Sequence, residues 1–251
     1  MLYTERVEFI VQQLQLCGNV KVNELAKAMQ VSLDTVRRDL KSMEQEGLVK
    51  YVRGGACLPE TLDSIAHFSG REVVNIPLKR QAAVKALKFI LPGSVIALNS
   101  GTTNMVLAQE MVKRFSDITV VTNNIAAANV LMQNSAIHTI LVGGDVDAME
   151  RSTYGHICEK EIASYHPDCA FLAINAVNDT VGYTDFRFSE ISVMQILAER
   201  SKRTIAVMDS SKLGKQSKKQ IFPLRSVDVL VLNDIPETIK EQYAAVGVTI
   251  K

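Results

Sequence analysis

The chain has 251 residues, 47% of them hydrophobic, and a formal net charge of +1. That is enough length for one large domain, or for a small and a medium one, each with a real core, while the bulk charge marks out no nucleic-acid or membrane partner. No apolar run approaches the ~18 residues of a membrane span, and the charged start MLYTERVEFIVQQ lacks a signal peptide's apolar stretch, so a cytoplasmic chain with no membrane partner is expected.

Residues 4–17 place Val7, Ile10, Val11 and Leu14 at helical spacing before the stop signal Gly18, which predicts a first helix. After a short extended link at Val20 to Val22, Leu25, Ala28 and Met29 share one face of a second helix that Asn23 can cap. Ser32 then reads as the N-cap of a third helix, LDTVRRDLKSMEQEG, with Leu33, Val36, Leu40 and Met43 facing inward and Gly47 ending it. A hairpin-like stretch, LVKYVRGGA, follows. Residues 58–78 show no sustained periodicity and are expected to form a linker between a domain at 1–57 and a second at 79–251.

From residue 79 a helix leads into six short apolar runs, SVIALN, ITVVTN, HTILVGG, CAFLAIN, TIAVMD and VDVLVLN, alternating with helical patterns. Continuous apolar strands separated by helices are what a doubly wound, mostly parallel α/β sheet requires, since both of its faces are covered.

Two constellations carry chemistry. Residues 1–56 hold eight Lys and Arg against seven Asp and Glu, so attraction for phosphate has to come from local clustering. The inward stripe of the third helix turns Thr35, Arg37, Arg38 and Lys41 outward. Arginine can bond bidentately to a guanine edge, and Ser32 and Thr35 at the helix start can meet backbone oxygens. Lys50 and Arg53 on the adjoining hairpin add positive charge, next to the flexible Gly54 and Gly55. The alternative is a solvated face on which Arg37, Arg38 and Lys41 pair with Asp34, Asp39 and Glu44.

In open parallel sheets, ligands collect beyond the C-terminal strand ends. There the sequence places Ser100, Gly101, Thr102 and Thr103 opening a helix, then Asn123, Gly143 and Gly144, Asn175, and finally Asp209 with Lys212. Together these supply an anion-binding helix start, a carboxylate for sugar hydroxyls and an ammonium for phosphate. Ordinary loop chemistry accounts for each piece taken alone. A sugar-phosphate isomerase would need a carboxylate base near its substrate carbon. The loop after CAFLAI is poor in carboxylates, and Glu190 could lie inside or outside, so sensing is favoured over catalysis, with an isomerase-like enzyme carrying a DNA-binding module as the alternative.

The segment VNELAKAMQVSLDTVRRDLKSMEQEG followed by VRGGA resembles the signature of the DeoR family of bacterial regulators, although that family usually writes His where Arg53 stands. The stretches NSGTT at 99–103, VVTNN at 120–124, LVGGD at 141–145, VGYTD at 181–185 and DSSKLG at 209–214 are similar to the family's sensor domain, whose fold is similar to ribose-phosphate isomerases and CoA transferases. Ala173 departs from the glycine usual there. The resemblance implies a winged helix-turn-helix with operator contacts at Ser32, Thr35, Arg37, Arg38 and Lys41. It also implies a phosphorylated sugar or related metabolite near Ser100, Gly101, Thr102, Thr103, Asn123, Gly143, Gly144, Asp185, Asp209 and Lys212. The expected partners are double-stranded DNA, that small-molecule effector and further copies of the chain in a dimer or tetramer, because one small winged domain buries too little surface for tight specific binding. No cofactor is expected. No metal is expected either, since His67, His138, His156 and His166 are scattered and neither they nor Cys17, Cys57, Cys158 and Cys169 fall at metal-site spacing.

Overall fold

The computed structural model describes all residues except Met1, Gly18, Arg53 and 58–67. The chain divides into two compact units, Met1–Val74 and Asn75–Lys251.

The first unit contains α1 (Tyr3–Cys17), β1 (Asn19–Lys21), α2 (Val22–Met29), α3 (Leu33–Gln45), β2 (Lys50–Val52), β3 (Gly55–Cys57) and α4 (Phe68–Glu72). Strands β1, β3 and β2 form an antiparallel sheet in that order. Val7, Ile10 and Leu14 of α1 pack with Leu25 and Met29 of α2 and with Val36, Leu40 and Met43 of α3. Three expectations need correction. Helix α2 starts at Val22, so Asn23 lies inside it and Lys21 occupies the cap position without a side-chain bond. Its buried face is Val22, Leu25, Ala26 and Met29, an i, i+3, i+4, i+7 stripe that leaves Ala28 outside. The same spacing in α3 selects Val36, Asp39, Leu40 and Met43, and Leu33, one turn too early, is 41% exposed. Helix α4 and the start of the next helix also fall within the segment expected to be a linker; its other part, 58–67, lies outside the described residues.

The second unit runs through α5 (Ile76–Ala86), β4 (Val95–Leu98), α6 (Thr102–Met111), β5 (Ile118–Thr122), α7 (Ile125–Leu131) and β6 (Ile137–Leu141). It continues with β7 (Asp145–Asp147), β8 (Ser152–Tyr154), α8 (Gly155–Ile162), β9 (Cys169–Leu172), β10 (Ala176–Asn178) and β11 (Gly182–Asp185). It ends with α9 (Ile191–Arg200), β12 (Thr204–Val207), β13 (Lys219–Phe222), β14 (Val229–Val231) and α10 (Glu237–Ala245). The six apolar runs form one parallel sheet in the order β14-β12-β9-β4-β5-β6. Side chains alternate between its two faces: Ala97 and Val121 enter one core, Ile96, Leu98 and Val120 the other. The chain steps from β4 to β6 in one direction and from β9 to β14 in the other, so the switch in winding falls between β4 and β9. In a doubly wound sheet this is where a crevice for ligands opens. The sequence did not announce the β7–β8 hairpin or the antiparallel sheet β10-β11-β13.

Candidate nucleic-acid interface and effector site

Helix α3 is held from behind by a buried ion pair. Arg6 of α1 donates from Nε and Nη2 to the two oxygens of Asp39 at 2.6 and 2.9 Å. Both side chains are largely removed from water, and the Asp39 bond raises the Arg6 pKa above its ordinary value against the opposing cost of burial. Asp39, one of the acids considered as a surface partner for the outward arginines, is therefore turned inward. At the front, the Ser32 hydroxyl caps the helix, accepting from the Thr35 amide at 3.1 Å and lying 2.8 Å from the Thr35 hydroxyl. Ser32, Arg37, Arg38, Lys41 and Lys50 are exposed and Thr35 is half-buried. Arg37 meets Asp34 at 2.9 Å, an exposed pair that water screens. Arg38, Lys41 and Lys50 make no ion pair among the described residues.

The wing is tied to α3 by the Tyr51 amide, which donates to Glu44 at 2.8 Å. Gly54 is exposed at its tip. Gly55 is buried, and a Cβ there would lie 1.9 Å from the Val20 carbonyl oxygen; the structure gives this glycine the task of letting β1 pair with β3. Arg53 lies outside the described residues.

At the strand ends of the second unit, one residue that the sequence did not single out joins several that it did. Arg187 is buried and donates from Nε and Nη2 to Asp185 at 2.9 and 2.6 Å. It also donates from Nη1 to the Ser100 carbonyl and hydroxyl at 3.0 and 3.1 Å, and from Nη2 to the Ala173 carbonyl at 2.8 Å. Ser100 follows β4 and Ala173 follows β9, so the guanidinium straddles the switch point. Asn99 bridges the same gap, accepting from the Ala173 amide at 2.8 Å. Burial pushes the Asp185 carboxyl up, but Arg187 and the amides of Arg187 and Asn175 outweigh it and hold the pKa below its ordinary value. Burial likewise opposes the charge on Arg187, and Asp185 outweighs it upward.

Glu190 lies inside, fully buried. It accepts from the Ser152 hydroxyl at 2.6 Å and from Asn123 Nδ2 at 3.0 Å, and burial raises its pKa despite these bonds. Gly101 caps α6 at φ 127°, with no side-chain bond. A Cβ here would sit 3.0 Å from the Ala173 methyl and 3.2 Å from Arg187 Nη1, so the crevice closes tightly over a glycine. Thr102 and Thr103 are buried at the first turn of α6.

The remaining expected residues lie to either side. Asp209 follows β12, two strands and so roughly 10 Å from β4. It accepts from Asn75 Nδ2 at 3.1 Å and from the amide and hydroxyl of Ser211, in the same turn as Lys212. Beside that turn opens a cleft of about 430 Å³, lined by Ser210, Leu213, Gly214, Asp234, Ile239 and Tyr243 among others. Gly143 and Gly144 follow β6, four strands from β12. The Gly143 amide donates to Glu161 at 3.1 Å, and Gly144 packs under α8. Ser100, Gly101, Asn123 and Asp185 are thus drawn into one bonded region, whereas the glycine pair and the Asp209 turn stand on opposite sides of it.

Comparison with known proteins places both units. Residues 6–61 match the DeoR-like helix-turn-helix domain, and residues 74–234 match the DeoR C terminal sensor domain. The chain belongs to the DeoR family. A "Putative aga operon transcriptional repressor" of Escherichia coli O157:H7 is 30% identical over 98% of this chain and 93% of its own length. The "HTH-type transcriptional repressor GlcR" of Bacillus subtilis is 30% identical over 94% of this chain and 90% of its own. Among solved structures, a ribose 5-phosphate isomerase from Methanocaldococcus jannaschii covers 55% of this chain and 55% of its own, at 21% identity and a TM-score of 0.42, a distance from which nothing about activity follows. The protein is a DNA-binding transcription regulator of the DeoR family, and the family decides between the regulator and enzyme alternatives in favour of the former.

In this DeoR-family regulator the sequence reading passed over Arg6 and Arg187. Both sit near a carboxylate whose position was visible, Asp39 four residues before Met43 on the buried stripe and Asp185 two residues before Arg187. An acid on a buried stripe demands a cation, and that was the available signal. No helix among the described residues is long and apolar enough to cross a membrane.

Proposed function

We propose that the protein is a cytoplasmic, homo-oligomeric repressor of a carbohydrate operon whose affinity for its operator is shifted by a phosphorylated sugar. The observation that carries the operator half is the outward face of α3: Arg37, Arg38 and Lys41 exposed on a helix whose back is pinned by Arg6–Asp39. Such a face reaches base edges and phosphates without rearranging the fold. Lys50 and Gly54 on the wing, and Arg53 between them in sequence, are assigned flanking phosphate contacts, and Ser32 and Thr35 backbone contacts at the helix start.

For the effector, the uncapped start of α6 at Gly101–Thr103 faces the switch point. Buried Asn123 Oδ1 and Asn175 Nδ2 have no hydrogen-bond partner there among the described residues, which leaves an acceptor and a donor for a ligand's polar groups. Lys212 and Asp209, on the turn after β12, are assigned the phosphate and a hydroxyl at the β12 side of the site. The name of one relative, a glycerol-3-phosphate regulon repressor of Haemophilus influenzae, names a phosphorylated metabolite and supports that ligand class. A ligand acts only by favouring one arrangement of the reading heads over another, with a coupling of about 1–3 kcal/mol.

The test uses full-length protein and a duplex selected from a random pool. Arg37→Ala and Arg38→Ala are each expected to weaken operator binding by about 1–3 kcal/mol with the fold intact. A panel of phosphorylated sugars is expected to give one compound that raises Tm saturably without turnover. Thr102→Val and Lys212→Ala should abolish that response and spare DNA binding. Normal response in both variants, or steady product formation from any sugar phosphate, overturns the effector assignment.

A further inference from the structure

We infer that Leu33 is a base-reading residue whose side chain packs against the 5-methyl group of a thymine in the major groove. The inference rests on the assignment of α3 as the helix that enters the groove.

Leu33 is 41% exposed at the first position of α3. The other exposed residues of this helix are Asp34, Arg37, Arg38, Lys41, Glu44 and Gln45, all polar, so among them Leu33 is the single apolar side chain. Positions 33, 37 and 41 are four apart and stand on one ridge of an α-helix, so the leucine leads a row continued by two exposed cations. The Ser32 hydroxyl, bonded to the Thr35 amide at 3.1 Å, fixes the turn that carries it. Residues at the N-terminal end of a recognition helix are the ones that reach base edges.

The chemistry of the side chain then narrows what it can read. Leucine has neither donor nor acceptor, so it gains nothing from a phosphate or from the polar edges of guanine, adenine and cytosine. In the major groove, thymine alone among the four bases presents a methyl group. Burying a group of that size against leucine is worth about fourfold in affinity. The ridge accordingly reads a step in which a thymine lies beside the contacts of Arg37 and Lys41.

The experiment takes the duplex selected by wild-type protein and replaces its thymines one at a time with deoxyuridine, which pairs identically and lacks the methyl group. Dissociation constants are measured by fluorescence anisotropy at fixed salt for wild type, Leu33→Ala and Leu33→Gln. The expected result is one thymine per half-site whose conversion weakens wild type about fourfold. Both variants should bind weakly to the unmodified duplex and be indifferent to uridine at that position, with thermal unfolding unchanged. Equal methyl effects in wild type and variants at every thymine overturn the inference. So does a variant that binds like wild type, or one that changes oligomeric state while keeping the methyl effect. Selection of no duplex by wild type removes the assignment of α3 itself, and this inference with it.

Discussion

Arginine is used in opposite ways in the two units. On α3, Arg37 and Arg38 stand in water with at most one screened partner, whereas Arg187 at the β4–β9 switch point is buried among Asp185, Ser100 and Ala173 with all of its donors engaged. Charges left in solvent contribute little to stability and remain available to a partner. A charge buried and fully bonded is costly to disturb and so fixes geometry. The unit that reads DNA therefore presents a rigid helix with loose cations, and the sensor unit presents loops held by a cation that is itself immobile.

The contrast can be broken at its heaviest point. Arg187→Ala should strand Asp185 in a buried site and lower the stability of the second unit by about 3–5 kcal/mol in urea unfolding. A loss below about 1 kcal/mol would mean that the loops are held by something else. Asp39→Asn removes the partner of Arg6 and should cost the first unit about 2–3 kcal/mol, the smaller figure reflecting the less complete burial of Arg6, with DNA binding weakened through the displaced helix. Arg38→Ala should do the reverse. Operator affinity drops by about 1–3 kcal/mol and the salt dependence changes if the contact is to phosphate, while unfolding free energy stays within about 0.5 kcal/mol.

The smallest expected effect is one of pH. Burial keeps the proton on Glu190 to higher pH in the folded protein than in the unfolded chain, so its contribution to stability is fully present below the unfolded pKa and is lost as pH rises through the raised folded one. Asp185, held below its ordinary value, contributes stability that is present above the unfolded pKa and lost as pH falls through the folded one. Tm profiles of Glu190→Gln and wild type should therefore converge at acid pH and separate toward neutral, with wild type falling more steeply; parallel profiles would show that Glu190 titrates normally.

Most of the fold is legible from apolar periodicity. The six strands of the parallel sheet coincide with the six apolar runs because a strand covered on both faces has no polar position to blur the signal. The expected stripes of α2 and α3 were off by two residues and by a turn, since Ala26 and Ala28 are equally apolar and only a helix start at Val22 selects Ala26. Strands β7, β8 and β10 are three residues each, too short to show alternation, and the pairing of β11 with β13 joins segments distant in the chain. For the site, the glycine and hydroxyl cluster at 100–103 and the arginines of α3 were visible because their chemistry is local. Arg187 was not, since its meaning comes from β4 and β9 meeting beneath it.

By itself the sequence determined the three helices of the first unit, the six strands of the parallel sheet, the cap at Ser32 and the outward turn of Arg37, Arg38 and Lys41, because each depends on neighbours a few residues away. Only the tertiary structure decided that Asp39 faces Arg6, that Gly55 makes room for β1, and that Asp185, Arg187 and Glu190 lie buried together at the switch point. Burial and charge pairing depend on which distant segments pack together, and spacing along one strand or helix carries no record of that.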